Sequence, residues 1–400
     1  MTVNTSQLGI FAKYLLYALL LLGFLVSCGY DDPERIRVRY PRELELVGGY
    51  FGNRTGKDSS WGVLQFEIDD SYIFLASDEG NQSNLVVLDA NNAPELKLVT
   101  VRPVNSEHSS NISDLVVNND RLFVASTAGL EIFDVSDPQN PNPLGWYAHQ
   151  SDRATRVIAT GNYAYFFTVK NVNDPAKYQL SDWYGIEPKW TILDVSNPEN
   201  PTVVQEIDGF AEPKTLNGDY IYASSWWRPS REELGSKLQV IDISNRANPN
   251  LVTDQYVTFS VDDLVIVDQI AYVGNGTSII LMDATNPLKL EIIDSFGPAG
   301  GFDRIDVEGD LLAGGNSWLV RFNHTNESIE LEPVGDTDNN YLEKLICSSG
   351  GERFFDSSTD QNAFCESYTY FDEAALDVAL QDGLIYVATQ SVGLTVFEVP

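Results

Sequence analysis

An all-β repeat fold is what this chain of 400 residues predicts, on three observations. First, a short apolar strand ending in an acidic or amide residue recurs seven times, at Asp89, Asp134, Asp194, Asp242, Asp283, Asn323 and Glu398. Its clearest copies run into a turn rich in Ser, Asn and Pro, as in Gly129-Leu130-Glu131-Ile132-Phe133-Asp134-Val135-Ser136-Asp137-Pro138 and Trp190-Thr191-Ile192-Leu193-Asp194-Val195-Ser196-Asn197-Pro198. Self-similarity at such spacing marks an array of supersecondary units. Second, each copy follows a pair of strands such as Asp377–Leu380 and Leu384–Ala388, joined by Gln381-Asp382-Gly383, which is hairpin chemistry. Third, the seventh copy reaches Pro400 without a fourth strand, whereas 44–50 reads as a fourth strand with no first three before it. Four antiparallel strands make one propeller blade. The prediction is a seven-bladed β-propeller of four-stranded antiparallel blades over residues 43–400, its last blade closed by the N-terminal strand, which removes both exposed edges.

Ahead of the repeats, Lys13 precedes an apolar run from Tyr14 to Val26, the length of a signal-peptide core rather than of a spanning helix. The run ends in Leu25-Val26-Ser27-Cys28, which resembles the bacterial lipobox. That resemblance implies removal of residues 1–27 as a lipoprotein signal peptide and attachment of lipid to the Cys28 thiol. Two or three acyl chains, at about 0.8 kcal/mol per buried methylene, anchor stably. Residues 28–42 are polar and without period, a tether between lipid and folded domain. Gly29 stands where an Asp would resemble an inner-membrane retention signal, which points to the outer membrane. Asp31, Asp32 and Glu34 resemble the export signal of surface-exposed lipoproteins, so surface display is the further expectation.

Within the repeats, second strands are expected to start at Tyr72, Leu122, Tyr163, Tyr220, Ile270, Leu311 and Leu384, and third strands to end at the seven positions above. The long insertions, 171–189, 225–236 and 337–372, and the shorter 51–60 and 105–110, all fall between second and third strands or between blades. In a propeller both classes open on one face. Cys347 and Cys365 lie in the last long insertion; in the oxidising compartment implied by the lipobox a structural disulfide is expected, with two buried free thiols as the alternative.

The third-strand Asp and the Asp-Val-Ser-Asp/Asn-Pro turn make the chain similar to the LVIVD-repeat proteins, bacterial and archaeal surface proteins. The resemblance covers most of residues 43–400 and implies a β-propeller at the cell surface, without implying an activity. A literal Leu264-Val265-Ile266-Val267-Asp268 falls in a first strand and is not part of the repeat marker.

Hydrophobic content of 43% suffices for a buried core, and 25 basic against 58 acidic residues give a net charge of −33. Nucleic acid is excluded as a partner, because a phosphate backbone requires clustered Lys and Arg. The acidity reads as a source of solubility and self-repulsion, or else as a surface that gathers cations or cationic partners. Hydrolase elbows, phosphate-cradling loops, His-Glu-x-x-His and Cys-x-x-Cys are absent. His108 and His149 read as solvent-exposed loop residues, and 336–340 as a polar loop, since Tyr341 replaces the Gly of a calcium loop. No metal and no cofactor are expected. The third-strand Asp residues, each before a turn, should accept backbone hydrogen bonds within their own blades.

Two clusters remain as candidates. Tyr178, Trp183 and Tyr184 in one insertion and Trp226, Trp227, Arg228 and Arg231 in its neighbour form the aromatic-plus-Arg mixture of binding patches, or else pack their own loops. The repeat also sets Gln65, Asp114, Arg156, Pro213, Asp263, Arg304 and Asp377 at one equivalent position near the channel mouth. That ring either holds a small polar or anionic ligand or pairs internally, Asp114 with Arg156 and Asp263 with Arg304. The expected function is a lipid-anchored envelope module that binds or scaffolds a protein or surface glycan through its insertion-rich face. The alternatives are an extracytoplasmic propeller enzyme, a glycan or small-molecule hydrolase or lyase using Glu67 and Asp306, and a purely structural envelope protein.

Overall fold

The computed structural model describes residues 45–50, 61–79, 82–104, 112–149, 153–171, 186–227, 235–276, 278–296, 303–309, 311–314, 318–324, 329–336, 376–389 and 393–398. The signal peptide, Cys28, the tether, Cys347 and Cys365 lie outside these residues. Every regular element among them is a strand.

The strands form seven four-stranded antiparallel sheets. In chain order, sheet 1 spans 61–103, sheet 2 112–148, sheet 3 153–208, sheet 4 212–257, sheet 5 263–296 and sheet 6 305–336. Sheet 7 combines 377–398 with the N-terminal strand β1 (Glu45–Tyr50). The first strand of each sheet touches the first strand of the next, and that of sheet 7 returns to sheet 1, so the blades form a closed propeller ring.

Packing follows from alternation along each strand. In the second strand of sheet 1, Phe74 and Ala76 point toward sheet 2 and join Leu115, Leu122 and Val124, while Ile73 and Leu75 point back to sheet 7 and join Tyr386, Leu394 and Val396. The same alternation builds the cores between later sheets, with Trp190 at 0% exposure in the one between sheets 3 and 4. Its indole N–H donates to the Ala211 carbonyl at 2.8 Å, so the largest buried side chain leaves no polar atom unsatisfied. Each buried Leu, Ile, Val or Phe contributes about 1.5–3 kcal/mol.

Tight turns join first to second strands. Asp70, Asn119, Asp120, Asp268, Gln269 and Asp382 take positive φ there, the conformation a two-residue hairpin turn demands. Third strands end at the expected residue in every sheet but the sixth, where the strand runs one residue further to His324, and Asp89, Asp134, Asp194, Asp242 and Asp283 each accept the backbone N–H two residues on, at 2.8–2.9 Å. Those hydrogen bonds hold all five carboxyls below their usual pKa. Their recurrence is turn chemistry.

Sheet 7 shows how closure is achieved. β1 pairs with 393–398 from Glu45↔Glu398 to Tyr50↔Leu394, and a bulge separates Leu46 from Gly48. The same bulge, opposite the same third-strand position, occurs in the fourth strands of sheets 1 to 5. Gly48 is therefore equivalent to Gly145 of sheet 2 and Thr253 of sheet 4. A Cβ on Gly48 would lie 2.0 Å from the Pro94 carbonyl oxygen, one on Gly145 2.0 Å from that of Pro198, and the Thr253 hydroxyl donates to that of Pro287 at 3.1 Å. Each contact joins an outer strand to the turn of the next sheet. The N-terminal strand thus occupies a fourth-strand position in full detail.

Candidate functional site

The first strands line the centre of the ring, and their opening turn decides which side chains face it. In sheets 1 to 4 the pairing with the second strand slips by one residue, between Val63 and Gln65, Ile112 and Asp114, Ala154 and Arg156, and Pro213 and Thr215. A bulge bends the strand and re-aims its side chains. In sheets 1 to 3 the slip lies just before the ring position inferred from the repeat; in sheet 4 it lies just after Pro213, so that Glu212, opposite Ser224, holds the place that Gln65 holds opposite Ala76.

Carboxylates at that position bind the neighbouring sheet. Asp114 accepts the Val157 N–H at 2.8 Å, Asp263 that of Ile305 at 3.0 Å and Asp377 that of Phe66 at 3.0 Å. In each case the donor follows the ring position of the next sheet. A second tier lies two residues deeper: Asp306 accepts the Leu380 N–H at 2.7 Å, and Glu67 accepts that of Val117. Deeper still, Glu308 accepts the Asp382 N–H at 3.1 Å. Innermost strands have one unpaired edge, and these carboxylates satisfy its N–H groups from the adjacent sheet.

Ion pairs complete the ring on one side. Arg156 reaches Asp114 at 3.4 Å and Glu212 at 3.5 Å, and Glu212 also pairs with Lys214 at 3.2 Å. The predicted Asp114–Arg156 pair is present. The predicted Asp263–Arg304 pair is not: Asp263 uses its oxygens on the N–H groups of Ile305 and Leu264, and Arg304 donates to the carbonyls of Leu376 and Asp303. Backbone edges compete for the same groups and prevail. Glu212 and Lys214 escaped the sequence reading because the slip in sheet 4 comes two residues later than in sheets 1 to 3: it gives Glu212 the place the repeat assigns to Pro213 and makes Lys214 the extra residue.

Gln65, Glu67, Asp114, Arg156, Asp306 and Asp377 meet around a central cavity of about 320 Å³. Asp263 and Arg304 are not part of its wall. Burial, reinforced by the negative charges of Asp114 and Asp377, pushes the Glu67 carboxyl up to about 8. Burial likewise raises Asp377 to about 7, against the pull of Phe66 N–H, Arg304 and Arg156. It also raises Asp114 and Asp306. For Arg156 burial works the other way but is outweighed by Asp114, Glu212, Asp263 and Asp377, which keep the guanidinium charged. For Glu212 burial opposes the charge, yet Lys214 and Arg156 hold its carboxyl below the usual value.

Of the loop candidates, Trp226 and Trp227 end the second strand of sheet 4, their backbones in register with Ser236 and Gly235. Tyr178, Trp183, Tyr184, Arg228 and Arg231 lie outside the described residues, as does His108. His149, expected in solvent, is half-buried, its ring 6.1 Å from Tyr147 and 5.9 Å from Phe166 between centroids. Burial lowers its pKa, so it is a neutral packing group near pH 7. Among the described residues no three His, Cys, Asp or Glu converge to hold a metal ion.

Comparison with known proteins agrees with the repeat. The LVIVD repeat family matches residues 111–148, 189–209 and 215–254, within sheets 2 to 4. No curated protein matches. Solved structures that resemble the chain include BamB from Moraxella catarrhalis, 11% identical over 89% of this chain and 98% of that one, with a TM-score of 0.49. The computationally designed protein Ika8 is 10% identical over 90% of this chain and 100% of its own, TM-score 0.48. A hypothetical selenium-binding protein from Sulfolobus tokodaii is 14% identical over 66% and 74%, TM-score 0.46. The chain carries LVIVD repeats and builds them into a β-propeller of four-stranded antiparallel blades.

Proposed function

We propose that this chain is a lipid-anchored binding module of the cell envelope, which takes a protein or surface glycan on the face where its long connections emerge. One observation carries the reading: the two ends of the ring differ. At one end the described sheets are joined by two- or three-residue turns and by compact Asx turns. At the other, the chain leaves after Asn171, Trp227 and Asp336 and returns only at Ile186, Gly235 and Asp377. Long connections on a rigid scaffold are where proteins place recognition. The enzyme reading is weaker, because Glu67 and Asp306 each hold a backbone N–H of the next sheet, whereas a glycosidase needs two carboxyls aimed at one bond.

The test replaces residues 172–185 and 228–234 by Asn-Gly turns, which the pairs Asn171↔Ile186 and Trp227↔Gly235 accommodate. Binding to purified envelope glycan and to detergent-extracted envelope proteins is then compared with the full chain. The expected result is lost binding at unchanged melting temperature. Undiminished binding would remove the insertion-rich face from consideration. Lipid attachment is checked by labelled fatty acid, which should be incorporated by the natural chain and not by Cys28→Ala.

A further inference from the structure

The central cavity is lined by more acid than base, although each acid also holds a backbone N–H of the next sheet. Four carboxyls, Glu67, Asp114, Asp306 and Asp377, share its wall with one cation, Arg156. A second feature is independent of that charge. Gln65 is only 9% exposed, borders the cavity, and its side-chain amide has no hydrogen-bond partner among the described residues. It occupies the ring position at which Asp114, Asp263 and Asp377 hold the next sheet, yet it holds nothing. The N–H it would take by analogy, that of Leu115, is already bound by Asp114. The amide atoms are not sealed away in the core, so they are open to whatever occupies the cavity.

We infer that the central cavity is a binding site for a small organic cation, an alkylammonium or diamine, held by Glu67 and the Gln65 amide oxygen. Size and charge agree on that class. A volume of about 320 Å³ accommodates a ligand of several heavy atoms. No three acidic groups among the described residues converge for a metal ion, so the negative charge is spread around the wall. An ammonium group, with three N–H donors on a flexible stem, satisfies such dispersed acceptors. An anion would meet four carboxyls and find Arg156 already engaged by Asp114 and Glu212. Glu67 faces Asp114 and Asp377, with Asp69 farther off, and a bound cation relieves that repulsion by displacing the proton Glu67 otherwise retains.

This site is separate from the insertion-rich face, and the two fail separately: the loop-shortened chain should still bind a diamine. The experiment titrates the full chain calorimetrically with putrescine, with butane-1,4-diol as neutral analogue and succinate as anionic analogue. It is run at physiological ionic strength, where a Debye length of about 8 Å screens the acidic surface. Saturable one-to-one binding of putrescine alone is expected, with proton uptake by the buffer. Glu67→Gln keeps an acceptor for Val117 and removes the charge, and Gln65→Met keeps the volume and removes the amide. Each should weaken binding by about tenfold or more, the scale of one charge-assisted hydrogen bond, while melting temperature confirms folding. Absence of saturable putrescine binding overturns the inference. So does equal binding of the diol or succinate, or an affinity unchanged in both folded variants.

Discussion

Replacing Glu67 by Gln should stabilise the protein at alkaline pH and leave it unchanged in acid. The carboxyl is raised from 4.5 to about 8 in the folded protein, by burial first and then by Asp114 and Asp377. Below pH 4.5 it is protonated both folded and unfolded, and its full contribution to stability is present. Between 4.5 and 8 the unfolded chain releases the proton while the folded chain keeps it, so stability falls as pH rises. At about 1.4 kcal/mol per pKa unit, the whole shift from 4.5 to about 8 corresponds to about 5 kcal/mol. Solvent in the cavity screens the charge and brings the effect to about 2–5 kcal/mol. Gln resembles the protonated acid, keeps an oxygen for the Val117 N–H and does not titrate. Thermal unfolding followed by circular dichroism should give coincident melting temperatures near pH 4 and a variant more stable by several degrees near pH 9. Parallel pH profiles for the two proteins, or a variant less stable at pH 9, would refute the account of the cavity as a strained acid cluster.

Deleting residues 43–50 should lower the melting temperature of the whole domain, because it removes the pairing with 393–398 and the packing of Val47 and Tyr50 on sheets 7 and 1; an unchanged melt would refute closure by β1. Gly145→Ala should cost about 1–3 kcal/mol in denaturant titration, since its Cβ would lie 2.0 Å from the Pro198 carbonyl oxygen and backbone cannot yield as a side chain does. Asp242→Ala should destabilise at neutral pH. Its carboxyl lies below the usual value through the Ser244 N–H and hydroxyl, so that contribution is present above the unfolded pKa and lost as pH falls; near pH 2 the two melts should converge.

Much of this architecture was legible because one residue type repeats at one structural moment. An Asp closing a third strand must satisfy the turn that follows, so Asp89, Asp134, Asp194, Asp242 and Asp283 fixed the register, and the register placed β1 beside 393–398. The literal Leu264–Asp268 motif likewise lies where the register put it, its strand Asp263–Val267 being the first of sheet 5. Bulges were not legible. The extra residue before Gly48, and its counterparts in other fourth strands, are ordinary apolar residues such as Val47, Leu144 and Val252, with no local signal of a slip. Side-chain partners at the ring were half legible, since opposite charges at neighbouring positions suggest pairing but do not reveal that an unpaired strand edge offers N–H donors to the same oxygens. Asp114 had Arg156 and the Val157 N–H within reach and took both; Asp263 took only backbone.

That competition explains why acids accumulate at the centre of the ring. The inner strand of a blade has an edge with no partner strand, and a carboxylate from the adjacent sheet can satisfy it without closing the channel. Each acid recruited for that purpose adds charge to a confined volume, and protonation is the cheapest relief. The pKa values near 8 for Glu67 and 7 for Asp377 follow from the scaffold before any ligand is considered. Gln65 breaks the pattern: an amide at a ring position adds no charge and, here, binds no edge. A purely structural ring gains nothing from an amide that holds no strand edge beside a proton-retaining acid. A site for a cation does, because the two oxygens then face one ligand and its charge replaces the proton that the scaffold forces Glu67 to keep.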